Sequence, residues 1–516
     1  MGVLSRFWER GVPGRGGSRR GESPGGAGGP GQAPQPARGL TTRDGRRSRR
    51  ALLRSGLAAA GGALASALAG CAGRGAGGAR APAVPTPAQT VPTVVLAPWG
   101  WANNRVVQAL IGETVAKFTA KHRGLRVQVV PGNGCCNPTA DIASIVGGAE
   151  ADVFTDNNFG AFRGGDYLLP LDPYLKRDNL STDLWSRQQV DSFRTPRGQF
   201  ALPAYFNVQI YIVNLSLLDQ SGLAYPAPDW TRAEFTQLAG ALTNTRGTVK
   251  RFGCGLDWGT GSAGQFSGEW VLRGFGGRLV SPGGERCLLG TPEAIAAGRW
   301  VYQEVLWPGL AGGSFANQTS ALATVMCCCM AGLITTIRNS FKWDFYPNPL
   351  GPAGPAAFGG TQFYAINART RVPDLAWEVL KWLSAEPDYQ RLMAQMNLAS
   401  PGLNTLWPEW EQVVQSVAPP LRGKAVHWFA DAARQGYAYP FPAFRYDNVQ
   451  AQAVIGRYLS ALGSRQAASV AGAFTQAAAQ ADALETAAGQ MSGQQRAALQ
   501  SFPAAGPSIA KVPPGQ

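Results

Sequence analysis

The chain has 516 residues but only two histidines, His122 and His427, so few residues are available for general base catalysis or for a histidine-ligated metal. It has no phosphate-loop motif and no Cys-x-x-Cys spacing. A Ser-His-Asp triad would have to be built from one of those two histidines. We therefore expect a protein that is not an enzyme and that holds no metal and no cofactor.

Charge is also scarce, because only 15% of the residues are Asp, Glu, Lys or Arg. The net charge of +15 comes mainly from the first 70 residues, which hold 12 arginines and three acidic residues. The rest of the chain carries 35 basic and 29 acidic residues, a net charge of +6, and has no run of Lys and Arg. Nucleic acid is therefore not an expected partner.

The N-terminal segment has the composition of a leader followed by an export signal. Residues 1–47 are rich in Gly, Pro and Arg and are expected to be disordered. The pair Arg49 and Arg50 precedes an uncharged run, residues 55–70, which is shorter than the ~20 residues of a spanning helix. Small residues lead directly into Cys71. A disordered tail followed by a short buried helix is the alternative interpretation.

This segment resembles a twin-arginine signal joined to the lipobox of bacterial lipoproteins. The resemblance implies that residues 1–70 are the signal and that Cys71 accepts a lipid. It also implies anchorage to the membrane at the extracytoplasmic face of the cell envelope.

Downstream of a linker at residues 71–91, the chain is aromatic and apolar to about residue 465. A segment of roughly 400 residues is longer than a single hydrophobic core usually accommodates, so we expect two lobes. Residues 466–500 are rich in Ala and Gln and are predicted to form a C-terminal helix, followed by a tail at residues 501–516.

The beginning of the first lobe alternates between strand and helix patterns. Strands are predicted at residues 93–97, 125–130 and 151–156, and a helix at residues 106–122. This order predicts an α/β fold with a parallel sheet, in which ligands bind at the carboxyl ends of strands. Those ends are residues 99–103, 132–137 and 156–158.

Several segments resemble the family 1 extracellular solute-binding proteins of ABC importers, in the order of that family. The resemblance rests on Ala151–Phe154, Gly165–Leu175, Gly198–Pro203, Tyr211–Asn214, Ser221–Leu223, Pro228–Trp230, Phe363–Asn367 and Asp374–Leu383. The family's Gly-Lys-Ala-Ala-Met segment is degraded here to Ala323–Met330.

The resemblance implies a two-lobe, periplasmic-binding-protein-like fold, with crossover strands as the hinge and a ligand cleft between the lobes. We place the first lobe at residues 92–203 and 356–405 and the second at residues 204–355 and 406–465. It further implies a monomer that captures a small solute and delivers it to an ABC transporter permease.

Aromatic and polar residues near strand ends are the predicted binding residues. An indole ring covers the apolar face of a sugar, and Asp or Asn bonds its hydroxyl groups, so the pattern favours a carbohydrate. Trp377 and Trp382 share a helical stripe and are predicted to be core residues. The predicted ligand-binding residues are Trp99, Trp101, Asn103, Asp156, Asn157, Tyr205, Asn207, Trp258 and Trp270.

The cysteines leave two other functions open. Cys327, Cys328 and Cys329 fall in an apolar segment interpreted as a strand, where they are expected to be small buried residues. Cys135 and Cys136 could pair with Cys254 or Cys287. A metal or redox carrier is one alternative to the solute-binding protein, and a lipid-anchored glycan-active enzyme is the other.

Overall fold

The computed structural model describes residues 91–98, 105–122, 124–132, 138–163, 165–246, 248–260, 265–397 and 400–491. The strands in these ranges are β1 (Thr93–Ala97), β2 (Arg126–Val129), β3 (Val153–Asp156), β4 (Arg194–Thr195), β5 (Gly198–Gln199), β6 (Ala201–Asn214), β7 (Phe252–Cys254), β8 (Ser320–Met326), β9 (Trp343–Tyr346), β10 (Ala357–Ile366) and β11 (Ala438–Tyr439).

The helices precede, separate and follow these strands. They are α1 (Arg105–Lys121), α2 (Pro138–Gly147), α3 (Phe159–Phe162), α4 (Asp172–Arg177), α5 (Arg187–Ser192), α6 (Leu215–Ser221), α7 (Arg232–Leu242), α8 (Glu269–Gly274), α9 (Pro292–Arg299), α10 (Cys327–Ile337), α11 (Pro373–Ala385), α12 (Pro387–Asn397), α13 (Trp407–Val417), α14 (His427–Arg434), α15 (Asn448–Gly463) and α16 (Val470–Gly489). Residues Trp300–Leu306 continue α9 as a π-helix.

The main sheet has the strand order β2-β1-β3-β10-β6-β8-β7, with β11 beside β10 and β9 beside β6. The pairs β1–β2 and β1–β3 are parallel, as the alternation of strands and helices predicts. The pairs β3–β10, β10–β6 and β6–β8 are antiparallel. The expected parallel arrangement is therefore correct for the first lobe's β1–β3 part. The pairs β7–β8 and β10–β11 are also parallel, and the whole sheet is mixed.

Strand β6 passes from one lobe to the other. Its beginning pairs with β10 through Ala201↔Ala365 and Tyr205↔Gln362, next to β3. Its end pairs with β8 from Gln209↔Met326 to Val213↔Leu322. All 14 residues of β6 are buried. The strand is thus shared by the two lobes of an α/β fold, together with its partner β10.

Four apolar clusters pack around the sheet, and the fourth, beside β3 and β10, contains Phe154 and Phe363. In the first lobe, helix α11 lies on the sheet, and Trp377 and Trp382 are 0% and 3% exposed, which confirms that they are core residues. In the second lobe, Tyr211 on β6 packs in a cluster with Trp230 and Trp270. A third cluster covers the other face of β6 and is built on tryptophans of β9 and α13.

The predicted helices and strands correspond to elements whose ends differ by a few residues. The helix predicted at residues 106–122 is α1, and the C-terminal helix predicted at residues 466–500 includes α16. The proposed limits of the two lobes stay predictions. No helix of the described residues is long and apolar enough to cross a membrane. The signal at residues 1–70, including Arg49 and Arg50, and the linker with Cys71 lie outside the described residues.

The cysteines differ from the sequence-based expectation in three respects. Cys329 is exposed, which contradicts the expectation that it is a small buried residue. Cys327 begins helix α10 instead of continuing a strand. Cys254 and Cys287 are buried free thiols, which contradicts their suggested pairing with Cys135 or Cys136; both of those residues lie outside the described ranges. Across the described residues, His, Cys, Asp and Glu form no group of three or more that could hold a metal ion.

A partly buried carboxylate connects two helices of the first lobe. Asp178, at the C-terminal end of α4, accepts hydrogen bonds from Arg177 Nε at 2.7 Å, Lys381 Nζ at 2.7 Å and Trp377 Nε1 at 2.8 Å. The hydrogen bond from Arg177, followed by those from Lys381 and Trp377, lowers the pKa of Asp178 well below its usual range. The charged form of Asp178 therefore stabilises the contact between α4 and α11.

We predict that Asp178→Asn lowers the free energy of unfolding at neutral pH by about 1–2 kcal/mol. This is the lower part of the range for hydrogen bonds to charged groups, because the Asp178 side chain is still 18% exposed. Since folding lowers this pKa, the contribution is full above the unfolded-state pKa of about 4 and is lost as the pH falls. Urea unfolding at several pH values measures it, with the exposed Asp229→Asn as control. A difference that grows on acidification would contradict the assignment.

Candidate functional site

The carboxyl ends of strands from both lobes point at the middle of β6. In the first lobe, β3 ends at Asp156 beside Phe363 of β10, and β1 and β2 run parallel to it. In the second lobe, β8 ends at Met326 beside Gln209, and β7 runs parallel to β8. Ligands of open α/β sheets bind at such strand ends. The candidate site is therefore the region around residues 206–209.

The middle of β6 changes from apolar to polar on one face only. Phe206, Val208 and Ile210 pack into the apolar cluster under one face. Asn207 and Gln209 alternate with them and are 7% and 3% exposed. Asn207 Oδ1 and Gln209 Oε1 have no hydrogen-bond partner among the described residues. A buried acceptor left without a donor costs about 1–3 kcal/mol, so both atoms suit a ligand that carries donors.

A carboxylate after β7 holds this polar face in place. Gln209 Nε2 donates to Asp257 Oδ2 at 2.8 Å, and Ser267 Oγ donates to Asp257 Oδ1 at 2.6 Å. Ser267 Oγ also lies 3.1 Å from the carbonyl oxygen of Gly259. Both Asp257 oxygens are therefore used within the protein, and the side chain orients its neighbours.

Contacts between the lobes surround the same region. Gln265 Nε2 of the second lobe donates to the carbonyl oxygen of Asn157 at 3.1 Å, and Gln265 Oε1 has no partner among the described residues. Asp156 is fully buried, and its Oδ1 accepts from the backbone N–H of Asn158 at 2.5 Å. We call the set Asn157, Asn207, Gln209, Asp257 and Gln265 the candidate cleft.

The structure brings some of the sequence-predicted residues together and separates others. Asn157 and Asn207 lie in the candidate cleft, and Asp156 supports the turn beside it. Trp258 follows Asp257, but its indole Nε1 donates to Tyr302 and its ring packs on Phe266 and Phe474. Trp99, Trp101 and Asn103 lie outside the described residues.

Tyr205 and Trp270 occupy core positions. Tyr205 is 3% exposed and belongs to the apolar cluster of the first lobe. Trp270 is fully buried, and the guanidinium of Arg232 lies 5.5 Å from its ring centroid. Because both rings pack within apolar clusters, we do not include these two residues in the candidate cleft. The histidines lie elsewhere: His122 contacts Phe118, and His427 contacts Trp428.

The comparisons with known proteins agree with this geometry. A model of the bacterial extracellular solute-binding protein family matches residues 101–390, more than half of the chain. The chain belongs to this family. No curated protein sequence matches this solute-binding protein.

Solved structures similar to this solute-binding protein share its two-lobe fold. An ABC substrate-binding protein of Listeria monocytogenes, in complex with cycloalternan, has a TM-score of 0.61 at 17% identity over 76% of this chain and 99% of that chain. The cyclic alpha-maltosyl-1,6-maltose binding protein of Arthrobacter globiformis has a TM-score of 0.62 at 17% identity over 77% and 99%. UgpB of Mycobacterium tuberculosis, in complex with glycerophosphocholine, has a TM-score of 0.60 at 19% identity over 77% and 99%.

Sequence reasoning missed Gln209, Asp257 and Gln265. Gln209 had a detectable signal, because it follows Asn207 at the period of a strand and so shares its face. Asp257 directly precedes the predicted Trp258 in a turn-rich segment. Gln265 had no such signal, since its place in the cleft of this solute-binding protein depends on a contact with Asn157, 108 residues away.

Cys327 ties the start of α10 to the middle of β6. Its Sγ lies 3.1 Å from the backbone nitrogen and 3.2 Å from the carbonyl oxygen of Val208. It also lies 3.2 Å from Ser400 Oγ, and Ser400 Oγ donates to the carbonyl oxygen of Phe206. Burial raises the pKa of the Cys327 thiol to about 12. The residue is thus a protonated thiol at neutral pH, with a structural role beside the cleft.

We predict that Cys327 resists alkylation by iodoacetamide in the folded protein at pH 8, whereas the exposed Cys329 reacts. The thiolate is the reactive form, and burial of Cys327 suppresses both the thiolate and access to it. Tandem mass spectrometry distinguishes the two positions in one peptide. In urea both should react at similar rates, which serves as the control. Fast labelling of Cys327 without urea would show that its environment is not the one described.

Proposed function

We propose that this protein captures a small carbohydrate between its lobes and delivers it to an ABC importer. The observation that carries the proposal is the convergence of strand ends from both lobes on the polar middle of β6. Membership of the solute-binding family supports capture of a solute. The similar proteins from Listeria monocytogenes and Arthrobacter globiformis, one in complex with cycloalternan and the other a binder of a cyclic maltosyl-maltose, support a carbohydrate.

The chemistry of the candidate cleft favours an uncharged, hydroxyl-rich solute. Its unpartnered atoms, Asn207 Oδ1, Gln209 Oε1 and Gln265 Oε1, are neutral amide acceptors. A sugar hydroxyl can donate a hydrogen bond to each of these atoms. No charged group has to leave water when such a solute binds. Asp257, the acid of the set, already accepts hydrogen bonds from Gln209 and Ser267. A cationic solute would find no comparable carboxylate in this set.

An irregularity in the strands that join the lobes would allow the lobes to close. The pairing of β6 and β10 is interrupted by a register shift between Gln362 and Phe363, close to the polar segment. Bulges increase local twist and bending, so rotation of one lobe can be absorbed there. A solute that contacts Asn157 of the first lobe and Asn207 of the second lobe together would favour the closed arrangement, because it gains contacts with both lobes.

We predict that a neutral mono- or oligosaccharide binds with micromolar affinity, about −8 kcal/mol, and is recovered unchanged. A thermal-shift screen of sugars identifies it, because ligand at 100 times its dissociation constant adds about 2.7 kcal/mol to stability. Asn207→Ala should weaken binding roughly 2- to 10-fold, the effect of one hydrogen bond. The exposed Asn317→Ala is the matched control. Carboxylate-dependent cleavage of the sugar would instead support the glycan-active enzyme.

We also propose that the protein is a monomer held at the outer face of the membrane by a lipid on Cys71. The support is the order of sequence features: an arginine pair, an apolar run too short to span a membrane, and small residues before Cys71. The family's extracellular location agrees with export. An anchored binding protein stays close to the permease, which raises the local concentration of the loaded form.

We predict that Cys71→Ser moves the protein from the membrane to the soluble fraction, because the thiol that accepts the lipid is gone. Cell fractionation followed by immunoblotting measures this. Replacement of both Arg49 and Arg50 with Lys should block export by the twin-arginine route, whereas Arg46→Lys should not. Membrane retention of the Cys71→Ser protein would refute the anchor, and normal export of the double variant would indicate the general secretory route.

A further inference from the structure

A cavity of about 660 Å³ lies outside the candidate cleft and shares none of its residues. Its first-lobe wall is the segment that contains Arg163 and Asp166, together with the β4–β5 hairpin. Its second-lobe wall is Pro282 and Gly283 with Arg445 and Tyr446. A volume of this size is typical of small-molecule sites.

The lining of this arginine cavity has an excess of positive charge. Its arginines are Arg163, Arg194, Arg197 and Arg445, and its acids are Asp166 and Asp191. Three of the arginines form ion pairs, with Asp172, Asp166 and Glu285 respectively, in which at least one side chain is more than 40% exposed. Exposed pairs contribute little, so these arginines can exchange partners at small cost.

Arg163 is the least satisfied of the four. Its Nη1 and Nη2 donate only to the carbonyl oxygens of Ala443 and Ser192, at 3.3 and 3.4 Å. Its Nε has no hydrogen-bond partner among the described residues. Burial, partly offset by the charge of Glu485, lowers the pKa of Arg163 to about 10. Because the hydrogen-bond partners of the Arg163 guanidinium are carbonyl oxygens and not a carboxylate, an oxyanion in the cavity would stabilise its positive charge.

A second buried arginine, Arg232, is fully enclosed by the protein. Arg232 also donates to carbonyl oxygens, those of Trp270 and Val271, and its Nε likewise has no hydrogen-bond partner among the described residues. Its guanidinium, however, lies against the rings of Trp270, Phe275 and Trp300. Arg163 has one such ring, Phe159, at 5.7 Å, and lines an open cavity instead. Arg163 therefore borders a cavity that can hold a ligand, whereas Arg232 is enclosed by the aromatic core.

We propose that the arginine cavity is a second binding site, which takes a small soluble oxyanion of the phosphate or phosphate-monoester class. Arg163 and Arg445 contact the anion from opposite lobes, and Arg194 completes the site from the hairpin. The fork of a guanidinium matches two oxygens of one phosphate group, which a lysine could not do as well. The site is separate from the neutral cleft around Asn207.

The test is isothermal titration of the full chain with inorganic phosphate and with glycerol 3-phosphate at constant ionic strength. We expect saturable binding of one anion per chain. Arg445→Gln and Arg194→Gln should each weaken it about tenfold or more, the effect of one charge-assisted hydrogen bond. Arg246→Gln, an exposed arginine outside the cavity, is the matched control and should bind as the unchanged protein does. Circular dichroism melting of each variant shows that it is folded.

Three outcomes of the titrations would overturn the proposal, and a fourth comes from a vesicle experiment. The first is absence of saturable binding by the unchanged protein, and the second is equal loss in the Arg246→Gln control. The third is competition between phosphate and a neutral sugar, which would place the anion in the cleft. Vesicles of phosphatidylglycerol, compared with phosphatidylcholine, form a separate arm. Binding to the anionic vesicles without binding of the soluble anions would assign the phosphate to lipid headgroups and would also contradict the proposal.

Discussion

Strand β6 is the element on which both halves of the molecule depend. Its 14 residues are all buried, and its two ends belong to the apolar clusters of different lobes. A strand buried on both faces must satisfy its backbone by pairing on both sides, which β10, β8 and β9 provide. The lobes can therefore move only around the segment where this pairing changes partner. That segment is where Asn207 and Gln209 interrupt the apolar sequence.

The polar face of this segment gives the hinge a second role. Apolar residues at both positions would join the clusters of the two lobes into one core and would resist rotation. Neutral amides instead leave acceptors that a solute can satisfy, so in the proposed function the point of bending is also a point of binding. Asp257 and Cys327 support the segment from opposite sides, through Gln209 and through the backbone of Val208. The proposed function therefore couples solute contacts to lobe rotation through residues two positions apart.

The charged side chains with little exposure are compensated by hydrogen bonds and ring contacts. Asp178 receives three hydrogen bonds and joins α4 to α11, and Arg232 is enclosed by carbonyl oxygens and aromatic rings. Arg232 is compensated by groups from a distant part of the chain, and Asp178 by the neighbouring Arg177 together with the distant Lys381 and Trp377. Arg163 departs from this pattern, which is why the arginine cavity stands out from the rest of the interior.

The sequence by itself determined the periodic elements, the α/β class and the family. The apolar run at residues 93–97 and the helical stripe of Trp377 and Trp382 are local patterns. Such patterns are retained in the structure because each apolar face must pack against a core. The ordered motifs were enough to predict crossover strands and a hinge. Asn157 and Asn207 were predicted as binding residues in this way, since each follows a predicted strand, and their contact with a solute stays a prediction.

Only the tertiary structure decided which aromatic and polar residues face the cleft. Trp258 and Trp270 have similar sequence surroundings, and their rings are placed by partners more than 30 residues away, Tyr302 and Arg232. Cys327 begins a helix instead of extending a strand, because its thiol bonds to Val208 across 119 residues. The contact of Gln265 with Asn157 is equally remote. Such long-range packing leaves no local signal, because the energy that selects it comes from groups brought together only by folding.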